Sequence, residues 1–92
     1  MDEATLKRNA RNILRSRHVF FADVQGSRFT TNGFPDIVAV INGLFVGLEF
    51  KTYRGQQSQD QKNFQKALEA AGGRYFIIRS DKDLLDVLSI FD

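Results

Sequence analysis

Two carboxylates and one ammonium recur around a predicted β-hairpin, and these three groups could carry out chemistry. Asn42-Gly43 lies between two apolar segments, which is the strongest short-range signal for a two-residue type I′ turn. The register that this turn sets places Asp36 opposite Glu49 on the neighbouring strand. Because side chains alternate along a strand, Glu49 and Lys51 share one face of the predicted sheet.

Carboxylates at this separation repel each other, and the repulsion must be compensated. Two charges about 5 Å apart repel by roughly 3 kcal/mol at an effective dielectric of 20, which is a large fraction of the stability of a small domain. Protonation of one carboxylate, the ammonium of Lys51, or a hard divalent cation with oxygen ligands would each compensate for it. Of the three, only the cation turns the repulsion into a function.

The amino-acid composition excludes several other kinds of chemistry. The absence of Cys excludes a disulfide framework, thiolate zinc sites and cysteine nucleophiles. His18 is the single histidine, so one chain cannot build a multi-histidine metal centre, and we assign His18 no role. Any metal must therefore be held by oxygen ligands.

The 92 residues have the composition of one packed globular domain, with 42% hydrophobic and 26% charged residues. No apolar run approaches the roughly 20 residues that span a bilayer. We therefore expect a cytoplasmic protein without a membrane partner. Residues 80–92 carry one base against four acids, so the positive charge is concentrated in the rest of the chain. This concentration of positive charge permits binding to a polyanionic partner.

The elements that must position the carboxylates alternate as αβββαβα, which predicts an α/β fold. The predicted segments are a helix over residues 3–16, strands over 19–24, 36–41 and 44–51, a helix from Ser58 to Gly72, a strand over 74–79 and a last helix capped by Ser80. We expect a mixed sheet in which an antiparallel meander is continued by one parallel strand, with a right-handed crossover.

Three motifs occur in a recognisable order along this chain. Gly33-Phe34-Pro35-Asp36, then Glu49-Phe50-Lys51, then Ser58 and Gln61 resemble the motifs of the virus-type replication-repair nuclease (VRR-NUC) family of the PD-(D/E)XK superfamily. The resemblance covers nearly the whole chain. It implies a restriction-endonuclease-like αβββαβ core, a mixed sheet flanked by helices, and a single VRR-NUC nuclease domain over residues 1–92. Stand-alone members of this kind are phage-like, which would place the protein in a host cytoplasm if it is phage-encoded.

The resemblance also implies roles for the hairpin residues. Asp36 and Glu49 would ligate Mg²⁺ or Mn²⁺, with the backbone carbonyl of Phe50 as a further ligand. Lys51 would orient or activate the attacking water and stabilise charge on the phosphate. The physics agrees, because a carboxylate-bound Mg²⁺ keeps several waters and lowers the pKa of one of them.

Two further residues have an open interpretation. Gln61 is either a catalytic residue or only the capping-box partner of Ser58 at the start of the second helix. Glu3 shares a helical face with apolar residues, so it is either a further metal ligand or an acid that suits a helix start.

A weaker set of candidates consists of basic side chains that could contact DNA phosphates or could form an ordinary solvated surface. They are Lys7, Arg8, Arg11 and Arg15 on the outer face of the first helix, and Arg28 and Arg54 in loops.

The resemblance implies a metal-dependent, structure-selective DNA endonuclease. Stand-alone members of about this length resemble Holliday junction resolvases, so the resemblance implies a resolvase that acts on branched or four-way DNA as a homodimer. A two-fold dimer presents two sites with one geometry, which suits nicks on opposed strands. The alternatives are a flap or nicking nuclease of phage or mobile-element replication, a catalytically silent nucleic-acid-binding module, and a regulatory protein that binds Ca²⁺. The presence of all three catalytic-type side chains argues against the silent module. Lys51 argues against the Ca²⁺ protein, since an ammonium beside a cation makes sense mainly when a phosphate is present.

Overall fold

The computed structural model describes residues 1–24 and 31–92. The elements are α1 (Glu3–Ser16), β1 (Phe20–Asp23), β2 (Ile37–Ile41), β3 (Leu44–Phe50), α2 (Gln59–Ala70), β4 (Arg74–Ile78) and α3 (Asp81–Ile90). The strands form one sheet in the order β1-β2-β3-β4, in which the first three are antiparallel and β4 runs parallel to β3. The predicted α/β class, element order and mixed sheet are confirmed.

The hairpin between β2 and β3 has the predicted turn and register. Asn42 and Gly43 both have positive φ angles, of 52° and 79°, which is the conformation of a type I′ turn. Ile41 lies opposite Leu44, and Ile37 lies opposite Leu48 at the other end of the hairpin. The turn therefore determines which residues of β3 face the start of β2.

The hydrophobic core lies between one face of the sheet and the helices α1 and α3. It contains fully buried side chains from α1, three strands and α3, among them Leu14, Ile37, Leu48, Phe50 and Leu84. The opposite face of β3 and β4 is approached by α2, which has no fully buried residue. By the alternation of side chains, Asp36, Glu49 and Lys51 lie on this second face of the sheet, which is covered less completely than the first.

Helix starts are set by side-chain caps. The Asp2 carboxylate accepts a hydrogen bond from the Thr5 N–H at 2.7 Å, and the Ser80 hydroxyl accepts one from the Asp83 N–H at 3.1 Å. The predicted cap at Ser80 is confirmed. None of the helices in the two described ranges is long and apolar enough to cross a membrane.

Each predicted strand is one residue too long at one or both ends. The first strand begins at Phe20 rather than residue 19, because His18 has a φ of 57° and the Val19 N–H still donates to the Leu14 carbonyl of α1. Apolar residues also recur at helical spacing along α2 and its C-terminal cap, namely Phe64, Ala67, Leu68 and Ala71, but they are only partly covered. Ala67 and Ala71 are exposed, since this helix packs mainly along β4.

Candidate active site

The β2–β3 hairpin brings Asp36 and Glu49 into direct contact. Asp36 immediately precedes β2, and Glu49 is the next residue of β3 beyond the last pair, Ile37 and Leu48. The Asp36 carboxyl is close enough to raise the pKa of Glu49 through hydrogen bonding and through its charge. The predicted juxtaposition is thus present, and it follows from the hairpin register.

Pro35 explains why β2 begins only after Asp36. Continued by two steps beyond Ile37 and Leu48, the register would pair Phe50 with Pro35, but a proline has no N–H to donate to the Phe50 carbonyl. The Phe50 N–H donates to Asp36 Oδ2 instead, at 2.9 Å. In a hydrogen-bonded antiparallel pair, each residue directs both its N–H and its C=O towards the partner strand. The Phe50 carbonyl therefore faces the side on which Asp36 lies.

Glu49 is a buried acid with a strongly shifted pKa. Only 2% of its surface is exposed. Burial raises its pKa to about 8, helped by the hydrogen bond and the charge of Asp36, while Lys51 and Tyr75 act in the opposite direction. Without a metal, a proton on Glu49 therefore relieves the repulsion between the carboxylates at pH values below about 8.

Lys51 follows on the same face of β3 as Glu49. Its N–H donates to the Ile78 carbonyl of β4 at 3.1 Å, which fixes its backbone beyond the end of the strand. Its side chain is half-buried, and its charge reaches Glu49. The hairpin thus brings together Asp36, Glu49 and Lys51 as the alternation of the strands predicted.

Lys7 is not on the outer face of α1, and that part of the sequence prediction is wrong. The residue is only 7% exposed, and its ammonium lies 3.5 Å from Asp36 Oδ1 and 3.3 Å from Glu3 Oε1. The long apolar stem of a lysine allows this, since it packs along the helix while the charged end reaches a carboxylate. Lys7 therefore supplies positive charge beside Asp36.

Glu3 reaches the site through Lys7. No three Asp, Glu or His side chains converge on one point within residues 1–24 and 31–92, so the structure does not add Glu3 to the pair of carboxylates. Glu3 and Lys7 instead line a cleft of about 330 Å³ together with Ala4 and Arg11. A metal-ligand role for Glu3 stays a prediction.

The remaining basic candidates are dispersed. Arg11 Nε donates to Asp23 Oδ2 at 2.9 Å, and the Arg15 guanidinium lies over the Phe21 ring at 5.5 Å. Arg8 and Arg54 are exposed, whereas Arg28 lies outside the described residues. Contact with DNA stays a prediction for all six basic residues, Lys7, Arg8, Arg11, Arg15, Arg28 and Arg54.

Gln61 forms the predicted capping box. Its N–H donates to Ser58 Oγ at 3.1 Å, and its Oε1 accepts from the Ser58 N–H at 2.8 Å. This structural role is confirmed, while the catalytic role stays a prediction.

The loop that carries Asp36 is packed onto the start of α2. Gly33 has a φ of 79°, and a Cβ there would lie 2.1 Å from the Asp60 carbonyl oxygen. Next to it, the ring centroids of Phe34 and Phe64 are 5.0 Å apart. A glycine is thus required where the loop backbone contacts the helix backbone.

Tyr75 is a site residue that the sequence did not predict. Its hydroxyl donates to Glu49 Oε2 at 3.3 Å, and burial raises its pKa well above the usual range. Tyr75 lies opposite Gly47 in the parallel pairing of β3 with β4. A signal was available in the alternation of β4, but no turn fixes a parallel register, so the sequence alone did not identify this contact.

Comparison with known proteins supports one conclusion about the architecture. No protein-family model matches the sequence, and none of the curated proteins matches it. A solved structure described as "VRR_NUC domain" superposes with a TM-score of 0.82 at 15% sequence identity, covering 98% of this chain and 97% of that chain. The resemblance inferred from the three motifs is therefore confirmed in the backbone, and this chain has the fold of a VRR-NUC domain.

Proposed function

We propose that the protein is a metal-dependent endonuclease of the PD-(D/E)XK type that hydrolyses phosphodiester bonds in DNA. The observation that carries the proposal is the contact between the carboxyls of Asp36 and Glu49, with Lys51 on the same face. A buried acid beside a second acid destabilises a small domain, and acids with such shifted pKa values cluster at functional sites. The fold shared with a VRR-NUC domain supports the same function.

The donor atoms at the pair suit a hard divalent cation. Asp36, Glu49 and the carbonyl of Phe50 offer oxygen ligands only, and Mg²⁺ is commonly held by one or two carboxylates together with water and substrate phosphate. Mn²⁺ suits the same oxygen-rich set. When bound there, the cation would withdraw charge from the phosphate and acidify water.

The side chains around the pair have complementary tasks. Lys51 stabilises negative charge that grows on the phosphate during hydrolysis. Lys7 and Tyr75 hold one carboxyl each, Asp36 and Glu49 respectively, in a fixed position. Hydrolysis then requires no nucleophile from the protein itself.

The DNA substrate we propose is branched, with a four-way junction as the first choice, cut by a homodimer. The formal charge of +2 permits binding to a polyanion. Leu85 and Ile90 on α3 are 40% and 67% exposed, and such apolar side chains are suited to a contact between two copies. Light scattering with and without DNA measures the oligomeric state directly. A cytoplasmic location remains part of the proposal.

A flap or nicking nuclease is the nearest alternative, and a silent nucleic-acid-binding module is the more distant one. Labelled four-way junction, flap and plain duplex DNA should be incubated with the protein in Mg²⁺, Mn²⁺ or EDTA. We expect metal-dependent cleavage, fastest on the junction. Faster cleavage of the flap would favour the alternative nuclease, and binding without cleavage in either metal would favour the silent module.

A further inference from the structure

The loop after Lys51 presents an aromatic side chain to solvent beside the proposed active site. Tyr53 is 88% exposed, more than any other large hydrophobic residue in the described ranges. It lies two residues after Lys51, in a tight turn formed when the Gly55 N–H donates to the Thr52 carbonyl at 3.0 Å. Single exposed aromatics are ordinary on protein surfaces, so exposure alone assigns no role to Tyr53.

The backbone of this loop is held in place from the neighbouring strand. A single nitrogen of Arg79, just after β4, donates to three carbonyl oxygens of the loop. These belong to Thr52 at 2.8 Å, Tyr53 at 3.4 Å and Gly55 at 2.8 Å. The Arg79 N–H also donates to Asp83 Oδ2 at 2.9 Å, which anchors this residue to α3. The Tyr53 backbone is therefore fixed while its ring stays exposed.

The loop is also tied to the proposed catalytic lysine. A Cβ added to Gly55 would lie 3.3 Å from Lys51 Cβ and 3.4 Å from its Cδ, so the end of the turn packs along the lysine side chain. The turn that carries Tyr53 is thus packed against Lys51. An aromatic ring presented on a fixed backbone loses less conformational freedom when it binds than one on a free loop.

From this arrangement we propose that Tyr53 stacks on an unpaired DNA base next to the phosphate that is cleaved. The inference rests on the proposed function and deepens it by naming the substrate class, which is DNA with unpaired nucleotides beside the cut. Every base offers a face for stacking on an aromatic ring. In an intact duplex both faces are covered by neighbouring base pairs, so Tyr53 discriminates in favour of gaps, flaps and open branch points.

Binding without divalent metal tests this inference apart from cleavage. Fluorescence anisotropy in EDTA should compare a plain duplex with the same duplex carrying a short gap. Tyr53→Ala should weaken binding to gapped DNA by about 5- to 150-fold, the range for loss of one stacked base. Binding to the plain duplex should change less than about 2-fold, and Tyr53→Phe should retain the preference for the gap because it keeps the ring.

Two readouts separate stacking from charge. Arg54→Ala, which removes the adjacent exposed cation, should reduce the slope of binding against salt, whereas Tyr53→Ala should leave this slope unchanged. The protein has no Trp and two Tyr, so tyrosine emission can be followed directly. Gapped DNA should quench part of the wild-type emission, and this part should be absent in Tyr53→Phe.

Arg79 has a positioning role that a double-mutant cycle measures. Arg79→Met should weaken binding to gapped DNA, and combining it with Tyr53→Ala should add little to the effect of Tyr53→Ala alone. Fully additive effects would contradict the claim that Arg79 acts through Tyr53.

The outcomes distinguish this inference from the proposed function. If wild-type protein cleaves DNA in Mg²⁺ or Mn²⁺ but Tyr53→Ala keeps the full preference for gapped DNA, the Tyr53 inference is overturned alone. Equal weakening for gapped and plain duplex would also overturn it. If the wild type neither binds nor cleaves any DNA, the proposed function itself is wrong.

Discussion

Glu49 is the residue at which burial and charge conflict most strongly. Its carboxyl is almost fully buried against Asp36, and its pKa rises from the ordinary value of 4.5 to about 8. Tyr75 donates to it, and Lys51 and Lys7 supply positive charge nearby. In the absence of a cation, burying Glu49 beside Asp36 therefore lowers the free energy of unfolding, and this loss of stability depends on pH.

Glu49→Gln should stabilise the metal-free protein at alkaline pH. Between pH 4.5 and about 8, folded Glu49 holds a proton that the unfolded chain has released, so the free energy of unfolding of the wild type falls as pH rises through this window. Glutamine does not titrate, so Glu49→Gln removes this decrease of the free energy of unfolding with pH. At pH 9 in EDTA, urea unfolding should show the variant to be more stable by roughly 2 to 5 kcal/mol.

Glu69→Gln is the matched control, because Glu69 is an exposed glutamate at the far end of α2. Its stability should follow the wild-type pH profile. Parallel profiles for wild type and Glu49→Gln would contradict the buried-proton account.

Lys51→Ala should lower the cleavage rate by some orders of magnitude while DNA binding persists. The reason is that the ammonium acts mostly on charge that develops in the transition state. Single-turnover rates and anisotropy in EDTA separate the two effects, with Lys62→Ala on the exposed side of α2 as the control. If only binding were weakened, Lys51 would be an ordinary phosphate contact.

At the scale of elements, the proposed active site depends on contacts that hold the Asp36 loop between the hairpin and α2. Gly33 lies against the backbone of Asp60 and Gln61, and Gly47 leaves room for Pro35. A displacement of α2 would therefore move the loop that carries Asp36.

Gly33→Ala should destabilise the fold more than Gly43→Ala. Both glycines have a φ of 79°, so each alanine meets the same left-handed penalty of roughly 1–2 kcal/mol. A Cβ at Gly43 would meet nothing within 4 Å, whereas one at Gly33 would collide with the Asp60 carbonyl. We expect an additional loss of at least about 1 kcal/mol for Gly33→Ala in urea unfolding. Equal losses of stability for the two variants would contradict this expectation, because they would show that the collision at Gly33 is relieved without an energetic cost.

The hairpin part of the site could be predicted from sequence because local rules determine it. Asn42-Gly43 fixed the register, and the register alone placed Asp36 beside Glu49. The contact of Tyr75 with Glu49 could not be predicted, because a crossover helix does not determine which residues of β4 face β3. The burial of Lys7 was missed for a related reason. Periodicity identifies the apolar face of α1, but not which flank of that face lies over the carboxylates.

At the scale of the whole molecule, the exposed surfaces of two neighbouring helices, α1 and α3, carry opposite charge. The first helix carries Arg8 on its exposed face, whereas α3 carries acids. Arg8→Glu should weaken binding to any DNA and flatten its salt dependence, because it removes a proposed phosphate contact. Asp86→Lys on α3 should leave binding equal or tighter. If the change on α3 were the damaging one, DNA would bind over α3 rather than over α1.

The central claim is that Asp36 and Glu49 together form a metal-dependent hydrolytic site. Asp36→Asn tests it most directly, since it keeps the size of the side chain and removes one carboxylate. Cleavage of a labelled four-way junction should be measured in Mg²⁺ and in Mn²⁺, with thermal melting to confirm that the variant is folded. We predict metal-dependent cleavage by the wild type and, in the folded variant, a loss of at least about 100-fold. Cleavage at the wild-type rate by folded Asp36→Asn would contradict the account.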